Sequence, residues 1–329
     1  MTQKINNPKI LITGAGGFIG GHLVKHFKKK GFRIRAVDIK PLNEWRQLDK
    51  DLENISLDLT IKEHCDQAVK GVSEIYNLAS NMGGIGFIEN NKAECMLSVL
   101  INTHLLIAAH KENVERYFFS SSACVYAANK QTDPRNPQLK ESDAYPAMPE
   151  DGYGWEKLFS ERMCRHFTED FGLKTRVARF HNVYGPYGSY DNGREKAPAA
   201  LARKIIRAKL SKKHEVEIWG DGKQTRTFMY IDDCVKGIDL IMHSDIEKPV
   251  NLGSKELVSI NQLVDIIEKI ADIKLKRNYK IDAPKGVRGR SSNNALIRKQ
   301  LKWEPSISLE IGMKKLYKWI EREITNKTK

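Results

Sequence analysis

The sequence predicts an α/β fold built on a doubly wound parallel sheet, with a smaller α/β unit toward the C-terminus. Three observations predict it. A glycine-rich turn joins a short apolar run to an amphipathic helix, an acidic residue closes the next apolar run, and strand-like and helix-like segments alternate as far as about residue 180.

The elements follow in order. Lys9 to Ile12 is an apolar run that stops at Thr13-Gly14 and reads as a buried strand. Phe18 to Lys30 has Phe18, Ile19, Leu23, Val24 and Phe27 at helical spacing and ends at Gly31, a suitable C-cap. Strands are predicted over 32–37, 55–57, 74–78, 117–121 and 175–180, with helices over 62–69, 94–111 and 153–171. Beyond 180 the pattern loosens. A Gly-, Pro- and Tyr-rich loop spans 184–192, helices are predicted over 197–210, 233–243, 261–270 and 309–324, and short strands over 216–219 and 227–230. Asn251 and Leu252 read as a strand that rejoins the main sheet. The expected division is a Rossmann-type domain over 1–180, with a contribution from about 228–255, interleaved with a second domain over 181–329.

Composition narrows the function. The 329 residues are 40% hydrophobic and 29% charged, which excludes a disordered or collagenous chain. No apolar run was expected to approach the roughly 20 residues of a membrane-spanning helix, and Met1 to Pro8 lacks a signal-peptide core. A net charge of +14 favours an anionic partner. Cys65, Cys95, Cys124, Cys164 and Cys234 form no close pair, which argues against a disulfide framework and for a reducing, cytoplasmic setting. The histidines suggest no metal site.

Two motifs carry chemistry. Gly14, Gly17 and Gly20 lie between strand and helix, where Phe18 and Ile19 open the helix and backbone amides meet a pyrophosphate. Asp38 ends the next strand, placed to accept hydrogen bonds from an adenosine ribose and to repel the phosphate of NADP, so NAD is the expected cofactor, with Arg33, Arg35 and Lys40 leaving room for some NADP tolerance. The alternative is a glycine turn without a ligand, and the strand, helix and acid in register argue against it. Farther on, Ser122 closes a strand, and Tyr153 and Lys157 share a helix face. A neighbouring ammonium favours the phenolate, so Tyr153 is expected to take an alcohol proton with its pKa lowered, while Ser122 holds the same hydroxyl. Taken alone, Cys124 reads as a small apolar filler and Lys196 as a solvated loop lysine.

With these motifs the chain resembles the extended short-chain dehydrogenase/reductases that act on nucleotide sugars. Segments 81–88, 121–126, 179–186, 193–200, 219–226 and 286–290 make it similar, within that group, to the GDP-mannose 3,5-epimerase family. The resemblance implies transient oxidation of a GDP-hexose at C4 by NAD, with Tyr153 as the hydroxyl base. Cys124 as thiolate and Lys196 as ammonium would then exchange protons at C3 and C5 from opposite faces. GDP-D-mannose would become GDP-L-galactose, or GDP-L-gulose by inversion at C5 alone. It further implies that Asn182, Lys204, Gln224, Arg226 and one or both of Arg288 and Arg290 hold the GDP part, that Glu195 binds the substrate, that Gly83 faces the sugar, and that Asp58 hydrogen-bonds the adenine. It implies a homodimer through helices 94–111 and 153–171. Ser80-Asn81 departs from the Ala-Asp expected before Met82, and 210–217 is longer and more basic than expected. A 4,6-dehydratase needs an acidic pair where Ala123-Cys124 stands, and a simple 4-epimerase needs no Cys/Lys pair. A reductive epimerase would use NADPH, which Asp38 disfavours. A nucleic-acid-binding scaffold on a dead enzyme is opposed by the intact Ser, Tyr, Lys and Cys set, and its basic runs read as solvated helix faces.

Overall fold

The computed structural model describes residues 8–135 and 138–328; the first seven residues, on which most of the signal-peptide reading rests, lie outside them. The first half runs β1 (Lys9–Thr13), α1 (Phe18–Lys29), β2 (Arg33–Asp38), β3 (Glu53–Ser56), α2 (Lys62–Val69), β4 (Glu74–Asn77), α3 (Ile85–Asn90), α4 (Lys92–Met96), α5 (Ser98–Lys111), β5 (Arg116–Ser122), β6 (Gln138–Leu139), α6 (Tyr153–Phe171) and β7 (Lys174–Phe180). The second runs β8 (Val183–Tyr184), α7 (Ala197–Leu210), β9 (Glu215–Trp219), β10 (Thr225–Thr227), β11 (Met229–Tyr230), α8 (Ile231–Met242), β12 (Val250–Leu252), β13 (Leu257–Ser259), α9 (Ile260–Ala271), β14 (Lys276–Lys280), β15 (Gly289–Ser292), α10 (Ala295–Leu301) and α11 (Leu309–Thr328).

Seven parallel strands form the main sheet in the order β12-β7-β5-β4-β1-β2-β3, so the winding reverses between β1 and β4. Side chains alternate across it, as the strand period of two requires. Ile10 and Ile12 join the core that continues into the second half, whereas Leu11 faces the core beneath α2, α5 and α6. β12 pairs with β7 from Val250↔Ala178 to Leu252↔Phe180, which returns the chain to the main sheet. A four-stranded sheet, β13-β10-β15-β6, takes β6 from the first half, so the two halves interleave.

A buried ion pair orients α6. Arg179 on β7 donates to both carboxylate oxygens of Glu161, at 2.9 and 2.7 Å, and Ser121 on β5 donates to the same carboxylate. This forked geometry fixes the helix against two strands, and Tyr153 stands at the helix N-terminus.

Three sequence expectations are corrected. The helix expected over 94–111 begins at Lys92 and is interrupted at Leu97. The stretch expected over 227–230 divides at Phe228, because β10 and β11 join different sheets. Lys92–Lys111 is, by length and composition, apolar enough to cross a membrane, contrary to the reading of the apolar runs. Here Leu105, Leu106, Ala108 and Ala109 pack beneath the sheet, as in any core helix.

Candidate active site

A cleft of about 760 Å³ opens beyond the C-terminal ends of β1, β2, β4 and β5, beside the switch point where such sheets take ligands. Its wall holds Gly14, Gly17, Phe18, Ile19, Gly20, Asp38, Asp58, Gly83, Ser122, Tyr153, Lys157 and Lys196. Gly14 has φ +68°, and a side chain at Gly20 would strike the Gly14 carbonyl. No side chain caps the first turn of α1, which leaves its amides open to an anion. The Asp38 carboxylate is held by the Lys40 amide at 3.0 Å, and that of Asp58 by Thr60. These residues fit a dinucleotide: an amide cradle with no side chain in the way, and an acid at the ribose position.

Across the cleft, Lys157 is buried, with its ammonium 5.4 Å from the centre of the Tyr153 ring and 4.7 Å from that of Phe119. Glu156 lies 3.4 Å from the same ammonium. The lysine is placed as expected, but the phenol is not acidified. Burial, then the neighbouring Cys124 and Glu156, pushes the Tyr153 hydroxyl well above its ordinary range, and a hydrogen bond with Ser122 only partly opposes this. Gly154 explains the close seating of α6, since a side chain there would meet the Cys124 carbonyl.

Cys124 sits in a 3-10 turn just after β5, its amide bound to the Ser122 hydroxyl at 3.2 Å. It is buried in the cluster of Tyr153, Cys95 and Ile88. Arg290, from β15, donates to its sulfur at 3.7 Å. The same arginine pairs with Glu150 and donates to Gln131. The expectation of Cys124 as a thiolate is therefore corrected for the empty site: burial and the Glu150 charge push the thiol up to about 11 despite Arg290. Lys196 stands immediately before α7 with no side-chain cap, reaches the cleft, and is pushed below the ordinary lysine range by burial, which the charge of Cys124 partly opposes.

The residues assigned to the GDP part, and Glu195, lie off this wall. Asn182, at φ +46°, donates to the Thr227 carbonyl, and Glu195 pairs with Arg203. Lys204 pairs with Glu217 at 2.9 Å, and Gln224 donates to the Trp219 carbonyl. Arg226 donates to the carbonyls of Thr225, Lys285 and Val287, and burial together with Arg290 pushes it down to about 9. Arg288 and Arg290 are separated: Arg288 is half-exposed on Asp221, whereas Arg290 is buried on Cys124. Two residues escaped the sequence reading. Arg194 stacks on Phe87 at 3.8 Å and donates to Asn81 at 2.8 Å, which ties the 193–200 segment to the 81–88 segment. Glu150 carries no motif of its own, and its one signal is its place three residues before Tyr153.

A dinucleotide cradle on one side of a cleft and a tyrosine beside a buried lysine on the other move a hydride and a proton together, as short-chain dehydrogenases do. The chain belongs to the NAD dependent epimerase/dehydratase family, whose model matches residues 10–253, and its cofactor is NAD. It is similar to GDP-mannose 3,5-epimerase 1 of Oryza sativa subsp. japonica, at 45% identity over 318 residues that cover 96% of this chain and 82% of that protein. It is similar to GDP-mannose 3,5-epimerase of Arabidopsis thaliana, at 43% over 320 residues that cover 97% and 83%. Among solved structures it is similar to the UDP-glucose 4-epimerase of Thermotoga maritima with UDP-glucose, with a TM-score of 0.86 over 96% of this chain and 99% of that one. At 24% identity, that last likeness shows the fold.

Proposed function

We infer that this chain is a GDP-mannose 3,5-epimerase, converting GDP-D-mannose to GDP-L-galactose, with GDP-L-gulose as the product of C5 inversion alone. One observation carries the reading: Cys124 packs against Tyr153, and Lys196 reaches the cleft that Tyr153 lines. A simple 4-epimerase has no use for that second pair. Bound NAD supplies the hydride acceptor and donor for C4. Tyr153 takes the C4 hydroxyl proton, and Ser122 holds the same oxygen. The Lys157 ammonium stabilises the phenolate that results, which burial otherwise disfavours. A ketone at C4 acidifies the C–H bonds at C3 and C5. Cys124 takes a proton on one face and Lys196 delivers one on the other, since a single side chain serves one face only. Arg226, Arg288 and Lys204 supply the positive charge that suits a pyrophosphate.

The reading includes a homodimer. Met96, Leu97 and Leu100 at the α4–α5 junction and Trp155 and Phe159 on α6 are exposed, with Leu97 at 56% and Phe159 at 51%. Covering these apolar side chains with the same face of a second copy would bury them. A cytoplasmic setting without membrane or nucleic-acid partners completes the reading. Five unpaired thiols support the reducing compartment, and the first basic run is engaged within the chain, Lys28 by Asp49 and Lys30 by Asp239.

Incubation with GDP-D-mannose in deuterated water, followed by NMR, tests the function. Deuterium at C3 and C5 of GDP-L-galactose is expected. Recovery of GDP-mannose with its carbon-bound hydrogens intact would exclude it.

A further inference from the structure

Glu150 is a buried-site carboxylate that neither motif nor resemblance assigns. Its backbone amide donates to the Cys124 carbonyl at 3.0 Å, so the two residues are fixed to each other through the main chain. Its carboxylate pairs with Arg290, and its negative charge opposes ionisation of the Cys124 thiol. Arg290 itself is held in place by Gln131 at 2.6 Å and lies 3.7 Å from the sulfur. Acid, guanidinium and thiol therefore form a triangle joined through Arg290 and the main chain, built by a loop before α6, by β15 and by the turn after β5.

We propose that Glu150 is a positioning residue of the Cys124 site, whose carboxylate engages the Arg290 guanidinium and so keeps it from serving as the sulfur's own counter-charge while the site is empty of substrate.

The charges facing the sulfur decide the sense of the effect. Arg290 from β15 and Lys196 at the start of α7 favour a thiolate, and Arg226 from β10 adds positive charge near Glu150. Burial and Glu150 favour the thiol, Tyr153 stays neutral, and the thiol wins. Burial also opposes the Glu150 charge, yet Arg290, the thiol and Arg226 hold its carboxyl below the ordinary range. The anion of the triangle thus resides on the carboxylate, where the guanidinium can pair with it, and the sulfur keeps its proton. Removing the carboxylate would leave Arg290 without its acid and next to sulfur, and the thiolate would gain.

This rests on the proposed role of Cys124, but its test does not need turnover. The probe is iodoacetamide, with modification of the Cys124 peptide followed by mass spectrometry from pH 6 to 9.5. In the wild type the rate should still be rising at pH 9.5; a plateau with an apparent pKa at or below the ordinary value of about 8.5 overturns the proposal without any variant. Glu150→Gln, folded by circular dichroism, should be modified about tenfold faster at pH 8, because each unit of lowered pKa gives tenfold more thiolate at somewhat lower nucleophilicity. Glu150→Asp, which keeps the charge, should stay within about threefold of the wild type. Equal rates for wild type and Glu150→Gln would overturn the proposal. If GDP-mannose proves not to be the substrate, these rates are unaffected, so the two readings fail separately.

Discussion

Replacing Cys124 by serine should separate oxidation from epimerisation. The change removes one heavy-atom substitution's worth of chemistry and little volume, and the amide bond to Ser122 and the cluster around Tyr153 remain. The thiol is held up to about 11 by burial and by the Glu150 charge, so little of it is thiolate at pH 8. A hydroxyl in the same pocket is a far weaker acid, so the carbon base is effectively lost. Loss of such a group costs about 100- to 10,000-fold in rate, equal to roughly 3–5 kcal/mol of transition-state stabilisation. The assay has two channels: absorbance at 340 nm on mixing with GDP-D-mannose, and hydrogen exchange at C3 and C5 by NMR in deuterated water. Cys124→Ser should retain a 340 nm transient and lose exchange. Tyr153→Phe should lose both, because without the ketone the C–H bonds are not acidic. Exchange at near wild-type rate in Cys124→Ser would refute the reasoning and leave Cys124 as packing.

The remaining predictions concern the frame around that chemistry. Arg179→Met leaves the Glu161 charge buried alone and should cost about 3–5 kcal/mol in urea unfolding, with much of it recovered by adding Glu161→Leu; a single-variant loss under about 1 kcal/mol would contradict the pair's structural role. His243 is held up to about 10 by hydrogen bonds with Asp239 and Glu74. Because its folded value lies above the unfolded one, its stabilisation is complete below about pH 6.5 and is lost as pH rises through about 10. The thermal midpoint should therefore fall more between pH 7 and 10 in the wild type than in His243→Gln, and parallel curves would dismiss the effect. Light scattering should give twice the 37.6 kDa chain mass, and Phe159→Glu should shift it toward the monomer; a wild-type monomer at micromolar concentration rejects the dimer. Turnover should need no stoichiometric added NAD, and steady growth at 340 nm would exclude a hydride that returns to its own carbon.

The frame was legible in the sequence because its signals are local. The Gly14–Gly20 turn depends on residues a few positions apart, and α6 and α7 match their sequence expectations residue for residue, from Tyr153 to Phe171 and Ala197 to Leu210. Where a signal depended on a distant partner, the sequence misled. Phe228 is apolar and continues the run, yet it divides β10 from β11, because Thr227 pairs toward β13 while Met229 and Tyr230 pair with β8. The same limit governs the site. Tyr153 and Lys157 are four apart on one helix, so their meeting is a matter of helical geometry. Their electrostatics is not: burial by residues from several elements outweighs the lysine, and the phenol rises where the spacing suggested a fall. Cys124 is the extreme case. Arg290 is delivered to it by β15, on a sheet that also takes β6 from the first half. Arg290 brings Glu150 with it, and that carboxylate with burial reverses the direction of the shift. Three residues spaced from 26 to 166 positions apart meet through that interleaving alone. The acid–base balance of this site is therefore a property of how the two halves thread together, and substitutions in the small sheet that move Arg290 should alter Cys124 as surely as substitutions beside it.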